Sequence, residues 1–107
     1  MAPIITENIE QIISACERHK VKYLYVFGSA ARESDFKEDS DVDFLYAFDK
    51  ERIQLDDYAD NYFEFLFGLE DLFNRNIDLL PDESITNPFL LKTINNDKIK
   101  LYAFAEY

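Results

Sequence analysis

The chain has 107 residues, 48% of them hydrophobic and 16% aromatic, which is enough for one hydrophobic core and too little for two. Twenty-two acidic residues against eleven basic ones leave a formal net charge of −11, a field that repels nucleic acid directly and admits polyphosphate only with divalent cations beside it. No apolar run is long enough for a membrane span, there is no repeat or low-complexity tract, and the single cysteine, Cys16, excludes an internal disulfide.

The opening M-A-P-I-I-T-E lacks the basic head and long apolar stretch of a secretory signal. With the lone cysteine, this predicts a cytoplasmic protein of one domain spanning 1–107. Residues 7–19 are expected as a helix, with Ile9, Ile12, Ile13 and Cys16 at i, i+3, i+4 and i+7. Cys16 itself reads as a small buried residue on that helix. Residues 21–27, V-K-Y-L-Y-V-F, are apolar on both faces and predict a central strand. Gly28-Ser29 ends it, A-A-R-E reads as a short helical turn, and S-D-F-K-E-D-S is a polar loop. A second strand is expected over 41–48, with Val42, Phe44, Tyr46 and Phe48 on one face and Asp41, Asp43, Leu45 and Ala47 on the other.

A long helix follows from about Asp56 to Asn74, its core stripe made of Tyr58, Tyr62, Phe65, Leu66, Leu69, Leu72 and Phe73. Phe63 and Phe67 fall outside that stripe among Asp60, Glu64, Glu70 and Asp71. They form either a protein-contact patch or a surface covered by the C-terminal segment. Residues 76–80, N-I-D-L-L, predict a third strand stopped by Pro81. Asn87-Pro88 opens a last helix, with Pro88 suited to the first helical position. Residues 98–104 read equally as an edge strand or a helical tail. The order of elements implies a small α/β (α+β) fold, a mixed sheet flanked by helices.

Asp41 and Asp43 stand at the mouth of an otherwise apolar strand, where ionised carboxylates are costly without a cation. Two residues apart on a strand, their Cα atoms lie about 6–7 Å from each other on one face. Carboxylates at that spacing can converge on one ion or bridge two ions about 3.5–4 Å apart. Oxygen ligands with no His or Cys nearby favour Mg²⁺, with Mn²⁺ as the alternative. Asp78 breaks the apolar run I-D-L-L in the same way, and joins the pair if the third strand lies beside the second. Three buried carboxylates without a cation would force at least one to protonate. The competing reading makes Asp41 and Asp43 solvated loop-end acids and Asp78 a turn cap. Gly28 and Ser29, between a buried strand and a helical turn, offer backbone N–H groups and a hydroxyl to a phosphate. Arg32 either reaches the same anion or is a surface cation paired with Glu33 or Asp35.

The stretch F-G-S-A-A-R-E-S-D-F-K-E-D-S-D-V-D-F-L, followed later by N-I-D-L-L, resembles the minimal nucleotidyltransferases of the polymerase-beta-like superfamily. The ending N-P-F-L-L-K-T-I-N resembles that family's last helix, so the similarity covers nearly the whole chain. Two details depart from the pattern: eleven residues separate Ser29 from Asp41, and Arg32 is followed by Glu33 where the family often has glycine. The resemblance implies that Gly28 and Ser29 hold the β- and γ-phosphates of ATP, and that Asp41, Asp43 and Asp78 bind Mg²⁺. It implies transfer of AMP to a hydroxyl, with Asp78 helping to deprotonate it. It further implies a HEPN-type helical partner, modified on tyrosine, in a toxin–antitoxin pair, and hence a homo- or hetero-oligomer. Two other readings compete: a non-catalytic antitoxin that sequesters its partner, and a small-molecule nucleotidyltransferase.

Overall fold

In the computed structural model, which describes residues 1–105, four strands form one sheet. They are β1 (Val21–Phe27), β2 (Val42–Phe48), β3 (Ile77–Pro81) and β4 (Ile99–Ala103), arranged in the order β3-β2-β1-β4. β1 runs antiparallel to both β2 and β4, whereas β2 and β3 are parallel, so the sheet is mixed as expected. The register sets Phe27 opposite Asp43 and Asp43 opposite Asp78.

The side-chain alternation of β2 divides the protein into layers. Val42, Phe44, Tyr46 and Phe48 are all buried on one face. That face packs under α2 (Ile9–Arg18) and α4 (Tyr58–Phe73), where Phe65, Leu69 and Phe73 meet it and the Phe44 and Phe73 rings lie 6.0 Å apart. Full burial of Phe44 or Phe65 contributes about 2–3 kcal/mol each. The other face carries a smaller cluster of Phe27, Leu45 and Ile94, the last supplied by α5 (Pro88–Asp97). Asp43 and Asp78 alternate with the first set and therefore sit on the α5 side.

Several boundaries differ from expectation for identifiable reasons. The first helix is two pieces, a turn α1 (Pro3–Thr6) and then α2. Pro3 favours an earlier start, and Asn8 donates its side-chain amide to the Ile4 carbonyl at 2.8 Å, bracing the junction. Ala2 and Ile5 of this segment are fully buried, and the Ala2 N–H reaches the Ala30 carbonyl at 2.7 Å. The long helix begins with a 3₁₀ turn over Leu55–Asp57 and ends at Asn74, which takes the left-handed conformation (φ 52°) that closes helices. Pro81 is the last residue of β3, not its stop; on a sheet edge its missing N–H is harmless. Residues 99–103 are the edge strand of the two alternatives and lie along β1, and among the described residues nothing covers Phe63 and Phe67, exposed at 49% and 55%. No helix among the described residues is long and apolar enough to cross a membrane.

Candidate active site

Gly28 turns the chain from β1 into α3 (Ser29–Arg32) with φ 70° and ψ −150°, a conformation essentially restricted to glycine. Its carbonyl accepts from the N–H groups of Ala31 (3.1 Å) and Arg32 (3.0 Å), which closes the turn. A Cβ at this position would collide with Oδ2 of Asp43. Glycine is thus required twice, for the backbone angle and for room under a carboxylate. Ser29 follows directly, half-buried at the start of α3.

The structure brings Asp43 and Asp78 together across the parallel β2–β3 register. Asp43 is half-buried and Asp78 exposed. Burial first, then a hydrogen bond with the Asp78 carboxyl and the charges of Asp78 and Asp41, push the Asp43 carboxyl up to about 7, while Arg32 pulls weakly the other way. The Asp43 carboxyl therefore keeps its proton up to near neutrality. Asp41 lies just before β2, which begins at Val42, and its side chain faces solvent. Asp43 and Asp78 meet, the charge of Asp41 acts on Asp43, and none of the three is fully buried. Among the described residues no three Asp, Glu, His or Cys side chains stand gathered as a ligand set.

The oxygen-only donors nevertheless fit a hard divalent cation. A cation placed there would take over the neutralising role of the Asp43 proton, and Asp41 stands near enough to raise the Asp43 pKa by its charge. Arg32 is positioned differently from a free phosphate ligand. Its guanidinium donates to Asp35 at 2.9 Å and to Asp97 of α5 at 2.6 Å. A role toward an anion would require that bridge to open.

One residue of the site escaped sequence reasoning. Arg75, between Asn74 and β3, donates to the carbonyls of Lys37 (3.2 Å) and Ser40 (2.9 Å), and its guanidinium lies 4.8 Å from the centre of the Phe36 ring. It fastens the loop that delivers Asp41 and Asp43 to the strand carrying Asp78. The only hint in the sequence was a cation three residues before Asp78 in an acidic chain. Two concavities, of about 620 and 770 Å³, are lined from Tyr46 and Phe48 and from Ile53, Tyr62 and Phe63. Both lie toward the far end of β2 from Asp43.

A mixed sheet with a glycine-serine turn on one strand and paired acids on the next two defines a nucleotidyltransferase fold. Residues 10–106 match the family described as Polymerase beta, Nucleotidyltransferase, so the chain belongs to that family and is a nucleotidyltransferase. Two relatives from Methanocaldococcus jannaschii, named as candidate protein adenylyltransferases, are 34% and 37% identical to it over 83 residues, covering 78% of this chain and 79% of each relative. The structure of a candidate minimal nucleotidyltransferase superposes with a TM-score of 0.70 at 28% identity, covering 89% of this chain and 90% of that one. The fold recurs in a toxin–antitoxin structure with AMP-PNP (TM-score 0.66, 21% identity, 91% of this chain and 74% of that one). It recurs also in the complex of a tri-AMPylated Shewanella oneidensis HEPN toxin with its MNT antitoxin (TM-score 0.57, 21% identity, 92% and 72%).

Proposed function

We propose that this chain transfers AMP from ATP to a tyrosine hydroxyl on a HEPN-type helical partner, and so acts as the antitoxin of a pair. The observation that carries this reading is the Asp43–Asp78 carboxyl pair closed against Gly28. The names of the archaeal relatives, candidate protein adenylyltransferases, support the choice of a protein acceptor.

In this reading the acceptor oxygen attacks the α-phosphorus of ATP, the bond from that phosphorus to the bridging oxygen breaks, and pyrophosphate leaves. The Gly28–Ser29 turn seats the β- and γ-phosphates, with backbone N–H groups and the Ser29 hydroxyl as donors. Asp41, Asp43 and Asp78 would hold Mg²⁺, or Mn²⁺ in its place, which would lower the pKa of the acceptor hydroxyl and offset charge on the triphosphate. Asp78, the more exposed of the paired acids, takes the acceptor proton. The remaining contribution of the protein is positioning: β2, β3 and the turn fix three groups against one another before substrate arrives.

The test is incubation with ATP labelled at the α-phosphate and Mg²⁺, with and without the co-purified partner, for the native chain and Asp41→Asn. Label on the partner that disappears in the variant supports the reading. A tight complex that never acquires label overturns it in favour of a sequestering antitoxin, and label on a small-molecule acceptor alone overturns the choice of a protein.

A further inference from the structure

The outer face of α4 is built for a contact that the described residues do not supply. Asp60, Phe63, Glu64, Phe67, Gly68 and Asp71 follow at i, i+3, i+4, i+7, i+8 and i+11, so they share one face, and all six are exposed. The Phe63 and Phe67 rings stack with centroids 5.9 Å apart and planes 29° from parallel, making a flat apolar ridge in water. Beyond Phe63 the ridge opens into the groove of about 770 Å³ lined by Ile53, Leu55 and Tyr62, where Leu55 is 88% exposed.

Gly68 is the second, independent sign. It sits inside a 16-residue helix, where glycine is markedly less favourable than alanine. Among the described residues nothing lies within 4 Å of the Cβ it lacks, so no contact between them explains it. What a mid-helix glycine does supply is bare backbone surface, over which another helix can pass closely.

Charge selects the occupant. α4 carries Asp60, Glu64, Glu70 and Asp71 and not one Lys or Arg. A second copy of this chain laid on the same face would set acid against acid, which opposes self-pairing. We propose that this face seats a helix of another protein, crossing at Gly68 with a small residue, placing a bulky apolar side chain in the groove beside Leu55, and flanked by rows of Lys or Arg. α4 and the Asp43–Asp78 pair lie on opposite faces of the sheet, so a partner anchored here leaves the carboxylates open. The inference concerns docking and holds whether or not that partner accepts a nucleotide.

The experiment is an amide chemical-shift titration of the isotope-labelled chain with a helical peptide of about 20 residues, long enough to hold its shape. The peptide carries an Ala–Leu stripe between two rows of lysine, and a control carries glutamate in place of each lysine. Signals from Asp60 to Asp71 shift with the lysine peptide and stay still with the control. Gly68→Leu weakens binding by about tenfold or more, while Gly68→Ala raises the unfolding temperature of the free chain, which separates blocked docking from misfolding. Shifts confined to another surface, no shifts, or native-strength binding by Gly68→Leu would overturn the proposal. So would α4 shifts that grow with chain concentration in the absence of peptide, because they would make the occupant a second copy.

Discussion

Between Gly28 and Asp43 the fit is tight enough that one added carbon is a functional perturbation. Gly28→Ala places that carbon on the Asp43 carboxylate in a backbone conformation alanine resists. It should destabilise the fold by about 1–3 kcal/mol, read by urea unfolding, and abolish transfer. Asp43 makes a second prediction through its titration. Its carboxyl binds a proton more tightly folded, with a pKa of about 7, than at its ordinary value of 3.8. The stability from that group is present at low pH and is lost as pH rises through 7. Asp43→Asn, which cannot ionise, should therefore be more stable than the native chain at pH about 8 by about 1–2 kcal/mol, allowing for solvent screening at this half-buried site, and should lose that advantage at pH about 4. Urea unfolding at both pH values without divalent cations checks it; equal advantages at both would remove the carboxyl pair as the cause.

The chemistry-bearing letters were legible at this scale because each breaks a local rule: an acid in an apolar run, or a glycine between a strand and a turn. Partners distant in sequence were not. The bridge from Arg32 to Asp97 spans 65 positions, and nothing local in either residue announces it.

At the scale of elements, the junction between β3 and the loop before β2 is the part most open to experiment. Arg75 grips that loop through two carbonyls and a ring, a geometry that a planar guanidinium satisfies and an ammonium does not. Both Arg75→Ala and Arg75→Lys should loosen the loop, so that trypsin cuts after Lys37 about tenfold faster while transfer falls by a similar factor. A variant with native cleavage but low activity would place Arg75 in the chemistry instead. Periodicity located α2, α4 and β2, each with one buried face, while β1 and β3 were legible as short apolar runs. It could not resolve residues 98–104, where I-K-L-Y-A suits either state and pairing with β1 decides. It also missed α1, whose four residues are too few to show a period.

For the whole molecule, the sheet separates two tasks. The α5 side holds the carboxylates and the turn, and the α4 side holds the exposed ridge. With a net charge of −11, both faces attract cations and repel anions. The sequence pattern raised the expectation of a cation, and the register sets Asp43 beside Asp78 with Asp41 exposed just before β2. The most direct measurement is therefore an electron paramagnetic resonance titration of Mn²⁺ with the chain and a non-hydrolysable ATP analogue. Binding should weaken by about tenfold or more in Asp43→Asn and in Asp78→Asn alike. Native-strength binding in either variant would contradict the claim that these two carboxylates jointly hold the metal.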